Sequence, residues 1–271
     1  MASMKLSDVI ASLDKLAPFD LAESWDHSGL RLGSPNAQIH SIAFSLDATE
    51  QVIFEAAERG CDLLVTHHPL MFSAQENMIC DRPDTKAVAA AFSRGVNIVS
   101  CHTNLDNAID GVNDYLAKLI GLREVEPLCT PETEGGFGMG AIGNIDVPID
   151  CDAVCDNAAH AWKLSGYRMY DNGSLVGRIA LCGGAGGSLW KFALQKNADI
   201  YITADLHYHE CLEALDAGLS LMVCDHGEME NPIMKPLSEK VASALGLPVV
   251  LIDHLAANEK HNCQWVNCKS Q

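Results

Sequence analysis

Four short segments concentrate the residues that could do chemistry. "THHP" supplies His67 and His68, and "SCHTNLDNAIDG" supplies His102, Asp106 and Asp110. "ITADLHYHE" supplies Asp205, His207 and His209, and "CDHGEMEN" supplies Asp225, His226, Glu228 and Glu230. Imidazole mixed with carboxylate suits zinc, iron, manganese, nickel or cobalt, whereas calcium and magnesium prefer all-oxygen shells. Adjacent histidines at a strand end diverge, so one ion rarely takes both. They fit two metals roughly 3.5–4 Å apart, one imidazole each, with carboxylates bridging. His226 and Glu230 lie four residues apart, as do His102 and Asp106, which lets each pair point the same way across one helical turn.

The bland alternatives differ in strength. One histidine at a strand end is ordinarily a satisfied polar residue, but two adjacent ones joined by three further clusters are not explained that way. His207 and His209 flank Tyr208, and either serves the site or faces solvent. His40, His160, His254 and His261 lack such company and read as structural. Cys101 and Cys224 fall inside strand-like runs, where a thiol packs as a small hydrophobe. "CGGAGGSLW" (182–190) joins a strand to a helix through glycines. That turn offers backbone N–H groups to an anion, or glycine is there for geometry alone. "ESWDHSGLRLG" (23–33) sets Trp25, Asp26 and His27 in a loop, where packing is the commoner role for the tryptophan than lining a pocket.

The elements that must position these residues are legible as alternation. "IHSIAFSLD", "EQVIFEAAERG", "CDLLVTH", "DTKAVAAAFSRG" and "VNIVSCH" read strand, helix, strand, helix, strand, which predicts a mostly parallel sheet with helices on its faces. Such sheets place ligands beyond the carboxyl ends of their strands, where the four segments fall. The N-terminal stretch reads as an amphipathic helix, with Leu6, Val9, Ile10, Leu13 and Leu16 on one face and Pro18 stopping it.

The rhythm returns with a register. Residues 42–66 lie over 179–203 without a gap, and Ile42, Ala43, Ala48, Ala56, Asp62 and Thr66 meet identical residues. "GVNIVSC" (95–101) then matches "GLSLMVC" (218–224) at a nearby offset. A duplication is the preferred reading, giving two similar α/β lobes with mostly parallel sheets facing a shared metal-binding cleft. The first lobe would span 1–122 and the second 123–271, with the segment from about 225 packing back on the first. Between the repeats, "TPETEGGFGMGAIGNI" reads as a glycine-rich loop leading into a short strand, and "CDAVCDNAAHAW" as a helix with little obvious chemistry.

Composition removes several classes. The 271-residue chain has a formal net charge of −18, and a protein that neutralises phosphates needs clustered Lys and Arg. No nucleic-acid partner is expected. No apolar run approaches a membrane span, and the N-terminus lacks the apolar core of a secretory signal, so the expected location is cytoplasmic. Eleven cysteines, an odd number without a signal peptide, read as reduced thiols. The tail "HNCQWVNC" reads as an ordinary exposed terminus rather than a metal site.

Taken together, "WDHSGLRLG", "SLDAT", "DLLVTHHP", "CHTNLDNAIDGVND", "CGGAGGS", "ITADLHYHE" and the histidine with glutamate four residues on resemble the Nif-three-like dinuclear metal-centre proteins, also labelled GTP cyclohydrolase type-two homologues. The resemblance runs over nearly the whole chain. It implies a two-lobed α/β fold, a toroidal homohexamer and two divalent metal ions per subunit. Carried over residue by residue, the ligands would be His67, His68, Asp106, His226 and Glu230, with Asp106 and Glu230 as bridges. Asp47, His102, Asp205 and His209 would support or line the site. Departures are local. His27 stands where asparagine is common, Ala204 where glycine is, and Asp225-His226-Gly227 replaces Gly-His-aromatic, which points to a changed pocket wall.

Two functions fit. One is a metal-dependent hydrolase acting on a small molecule, by GTP cyclohydrolase-like ring opening or phosphoester cleavage. The other is a non-enzymatic metal carrier or partner-binding scaffold, which would release its metal readily and turn over nothing. No residue is assigned a catalytic role on sequence grounds.

Overall fold

The computed structural model describes residues 3–131 and 133–257, so the "HNCQWVNC" tail and His261 lie outside the described residues. The chain forms two compact units. One runs through Gly111 and takes in Ile233–His254; the other is built mainly from Val112–Pro131 and Phe137–Pro232.

In the first unit a five-stranded sheet runs in the order Val249–Leu251, Ile42–Ser45, Leu63–Thr66, Asn97–Ser100, Gly29–Leu32. The first four strands are parallel and only Gly29–Leu32 is antiparallel. "IAFS" and "LLVT" are buried at every position, as expected for strands covered on both faces. The helices Glu50–Glu58 and Lys86–Arg94 supply Val52, Ile53, Ala56, Ala90 and Ala91 to a core shared with Ala43, Leu64 and Ile98. Thr49 caps the first by accepting from the Val52 N–H, and Gly95 ends the second in the left-handed region at φ 69°. The helix Leu6–Leu16 buries Leu6, Val9 and Leu13 and stops ahead of Pro18.

The second unit departs from the expected parallel sheet. Its order is Arg123–Cys129, Met139–Ile149, Val176–Leu181, Ile200–Thr203, Ser220–Cys224, Tyr167–Tyr170. Only the pairings among Val176–Leu181, Ile200–Thr203 and Ser220–Cys224 are parallel; the remaining three are antiparallel. The cause lies in the stretch expected to be mainly loop. Met139–Ile149 is an 11-residue strand paired on both sides. A Cβ on Gly140 would lie 2.9 Å from the Leu181 carbonyl, and one on Gly143 would lie 2.9 Å from that of Arg123. The glycines therefore admit close neighbouring backbone rather than marking a loop. Trp190, Tyr201, Leu221 and Val223 fill the core of this unit. The helix Cys151–Trp162 buries Trp162, whose indole N–H donates to the Leu116 carbonyl at 3.2 Å.

The repeat seen in the sequence reappears in the pairing. Ile42 pairs with Leu63 and Phe44 with Val65 in one unit; 137 positions on, Ile179 pairs with Ile200 and Leu181 with Ile202 in the other. Among the described residues no helix is long and apolar enough to cross a membrane.

Candidate metal centre

In the first unit the strand Leu63–Thr66 stops in a turn held by its own ends. The Thr66 hydroxyl donates to the His68 carbonyl at 2.7 Å, and the His68 N–H donates to the Leu46 carbonyl at 3.0 Å. From this turn the buried His67 ring donates from Nδ1 to the Cys101 carbonyl at 2.8 Å. His68 donates from Nδ1 to Asp47 at 2.7 Å, and His102 from Nδ1 to Asp26 at 2.8 Å. With Nδ1 spent on an acceptor, each ring presents Nε2 on its opposite side, the arrangement that outer partners impose on metal-ligating histidines. One ring nitrogen from each of the three falls within 4.8 Å of the other two. The short helix Thr103–Asp106 carries the buried Asp106 to 3.7 Å from His67 Nε2.

The carboxylates behind the rings are themselves braced. Asp26 accepts from the Thr103 N–H at 3.1 Å, the Thr103 hydroxyl at 2.6 Å and the Ser28 hydroxyl at 2.8 Å. Burial alone would raise its pKa, but the hydrogen bonds from His102, Thr103 and Ser28 hold the carboxyl well below the usual range. Asp47 takes His68 on one oxygen and His254 Nε2 on the other at 2.8 Å. Burial again opposes ionisation, and the His254 and His68 hydrogen bonds overcome it. Both therefore stay ionised and keep their histidines in one tautomer.

In the second unit His226 opens the short helix His226–Glu230, capped by Asp225, whose side chain accepts from the Glu228 N–H at 3.0 Å. His226 donates from Nδ1 to Asp205 at 2.6 Å, and its Nε2 lies 3.2 Å from Glu230. Asp205 holds a left-handed backbone at φ 53°, a conformation a short polar side chain tolerates better than a branched one. Gly184, at φ 62°, lies against the same pair: a Cβ there would collide with Glu230 Oε1 and come within 3.0 Å of His226 Nε2. Of the two readings of the glycine loop, geometry is the one its contacts support. The Gly183 N–H goes to Asn113 at 2.9 Å, and that of Gly186 to the Thr203 hydroxyl at 3.1 Å.

Each unit thus sets an imidazole Nε2 against a carboxylate oxygen while Nδ1 is already a donor. Two acceptors in that position need a proton or a cation between them, and imidazole with carboxylate is a donor set for a transition metal. The residues present fit a divalent ion.

Other candidates have contacts of their own. Asp110 meets Lys240 at 3.3 Å. His207 caps the helix Tyr208–Asp216, and the exposed His209 ring meets Tyr208 edge-on. Glu228 accepts from the Ser165 N–H at 2.7 Å. Burial pushes the thiols of Cys101 and Cys224 up to about 12, as suits packing groups. Two contributors escaped the sequence reading. His254 is engaged by Asp47, and Asp26 anchors His102; neither sits near its partner in sequence, and only the Asp-x-Ser turn spacing at Asp26 hints at a role. Trp25 does not pack into the core: it is 64% exposed.

Fold and site together define an α/β protein with carboxylate-backed histidines grouped where a metal ion could be held. The chain belongs to the Duf34/NIF3 (NGG1p interacting factor 3) family, whose sequence model matches residues 4–258. A "GTP cyclohydrolase 1 type 2 homolog" from Lactococcus lactis is 34% identical over 245 residues, covering 89% of this chain and 92% of the relative. A "Protein NIF3 homolog" from Schizosaccharomyces pombe is 29% identical over 255 residues, covering 89% and 90%. Among solved structures, a Bacillus cereus protein related to NIF3 superposes with a TM-score of 0.85 at 20% identity, over 93% of this chain and 96% of that one. Reduced HcgD from Methanocaldococcus jannaschii gives 0.79 at 26% identity, over 93% and 98%.

Proposed function

We propose that this protein binds two divalent transition-metal ions, with His67, His68, Asp106, His226 and Glu230 as ligands, and acts as a metal-dependent hydrolase on a small molecule. The observation that carries this reading is the Nδ1 engagement of His67, His68 and His226, which leaves Nε2 as the ligating atom of each. Asp106 and Glu230 supply the carboxylates of the set. Two such ions, when bound, supply Lewis-acid polarisation and activation of water near neutral pH. The chain's own part is orientation. Asp47 and the Cys101 carbonyl fix the rings of His68 and His67, Asp205 fixes that of His226, and Gly184 leaves room for the Glu230 carboxylate. Ring opening in GTP, the activity in the names of its relatives, and phosphoester cleavage both make use of these properties. The family resemblance extends the proposal to a cytoplasmic homohexamer, which analytical ultracentrifugation checks.

The test is elemental analysis of protein purified without added metal, followed by turnover of GTP and a phosphoester panel with zinc, iron, manganese, nickel or cobalt restored. About two equivalents of metal with metal-dependent product supports the hydrolase. Two equivalents with no turnover supports a metal carrier or partner-binding scaffold. No metal, and none taken up, overturns the ligand assignment.

A further inference from the structure

Two exposed aromatic rings stand against the imidazole cluster of the first unit. Trp25 is 64% exposed and Phe72 is 65% exposed. Trp25 meets His102 with ring centroids 6.1 Å apart and planes at 79°; Phe72 meets the same imidazole at 5.9 Å and 81°, and lies 6.3 Å from His68. Single exposed rings are ordinary on a protein surface. Two of them upright on one imidazole, beside side chains fixed by charged hydrogen bonds, are not. Trp25 precedes Asp26, whose side chain is 2% exposed and holds Ser28, His102 and Thr103. Phe72 follows the turn that Thr66 and Leu46 pin at His68.

We infer that Trp25 and Phe72 are ring-stacking residues that select substrates carrying a planar heteroaromatic ring. The inference rests on the metal-binding reading of the adjacent histidines and adds to it a substrate class. Indole and phenyl faces attract any flat π-system and tolerate different edge substituents. An aliphatic phosphoester or an inorganic polyphosphate has no such surface to offer. The labour is then divided: anionic oxygens go to the metal, and the flat ring goes to the two aromatic side chains. Stacking of this kind discriminates ring from no ring, and discriminates poorly between one purine and another.

The test compares GTP, ATP and inorganic tripolyphosphate by titration calorimetry on the metal-loaded protein, for wild type, Trp25→Ala, Phe72→Ala, the double variant, and Trp25→Phe with Phe72→Tyr. Both nucleotides should bind the wild type at least tenfold tighter than tripolyphosphate. The double alanine variant should lose on the order of tenfold or more for both nucleotides. Its tripolyphosphate affinity and metal content should not change, and the aromatic replacements should restore nucleotide binding. Nucleotides binding the wild type no better than tripolyphosphate would overturn the inference, as would an equal loss for all three ligands in the double variant. Failure of the metal reading shows separately, as absence of metal by elemental analysis. Guanosine titrated into that metal-free protein then decides the aromatic role: binding lost in the double variant keeps it, and binding unchanged removes it.

Discussion

In both units a buried threonine ends the central strand of a β-α-β unit, Thr66 in one and Thr203 in the other, and the strands leading to them pair in the same register. Beyond that threonine they diverge. The first continues with His67 and His68, the second with Ala204 and Asp205. At the end of the preceding strand Asp47 stands where the second unit has Gly184. After the third strand the residue capping the short helix is His102 in one and Asp225 in the other. One scaffold has thus placed its imidazoles on rigid strand ends, with His67 fully buried, while the other carries His226 on a helical turn with 32% of the side chain exposed. A common backbone fixes where a functional group can project; it does not fix which group projects there. His67 gains orientation from its burial, and His226 gains access from its partial exposure.

The sharpest way to break this comparison is to remove one ligand from each side. His67→Ala combined with Glu230→Ala should abolish bound metal while the circular dichroism spectrum is retained; unchanged metal content would refute the assignment. The outer carboxylates should separate the two units next. Asp26→Ala leaves several buried donors without their acceptor and should cost about 1–3 kcal/mol in chemical denaturation. Asp205→Asn, which keeps a residue type suited to the left-handed backbone at an exposed site, should leave stability within about 0.5 kcal/mol but weaken metal affinity roughly 10–100-fold. Equal stability losses in the two variants would erase the distinction between buried and exposed supports.

Acid titration gives a smaller effect with a definite sign. The folded Asp26 carboxyl sits below its unfolded value of about 3.9. Its stabilisation is therefore fully present above that value and is lost as pH falls toward the depressed folded value. Asp26→Asn should flatten the fall in stability below about pH 5, and parallel wild-type and variant curves would contradict the bracing role. The smallest expected effect concerns the thiols at matching strand ends. Cys101 and Cys224 are both buried and poorly ionised, so iodoacetamide at pH 8 should label the exposed Cys80 and spare both. Labelling of either, read by peptide mass spectrometry, would show that strand end to open.

Much of this is legible in the amino-acid sequence. The β-α-β order, the helix ending before Pro18, and the clustering of imidazole and carboxylate at strand ends all follow from local pattern. The extent of Met139–Ile149 did not, because glycine chosen for close backbone approach looks the same in sequence as glycine in a loop. The partnership of His254 with Asp47 was equally invisible: it joins residues 207 positions apart through the pairing of Val249–Leu251 with Ile42–Ser45. The exposure of Trp25 is not legible either, because it depends on what the rest of the fold leaves uncovered, and no local pattern reports that.

That last pairing bears on synthesis at the ribosome. Val249–Leu251 occupies the edge of the first sheet beside Ile42–Ser45, so the strand made early waits for nearly the whole chain to emerge before its flank is covered. Until then it offers unpaired backbone to any other nascent chain, and Asp47 awaits its second histidine. Chaperone demand should therefore last until the segment that closes the sheet has been translated, and a metal held by these histidines would load only after it.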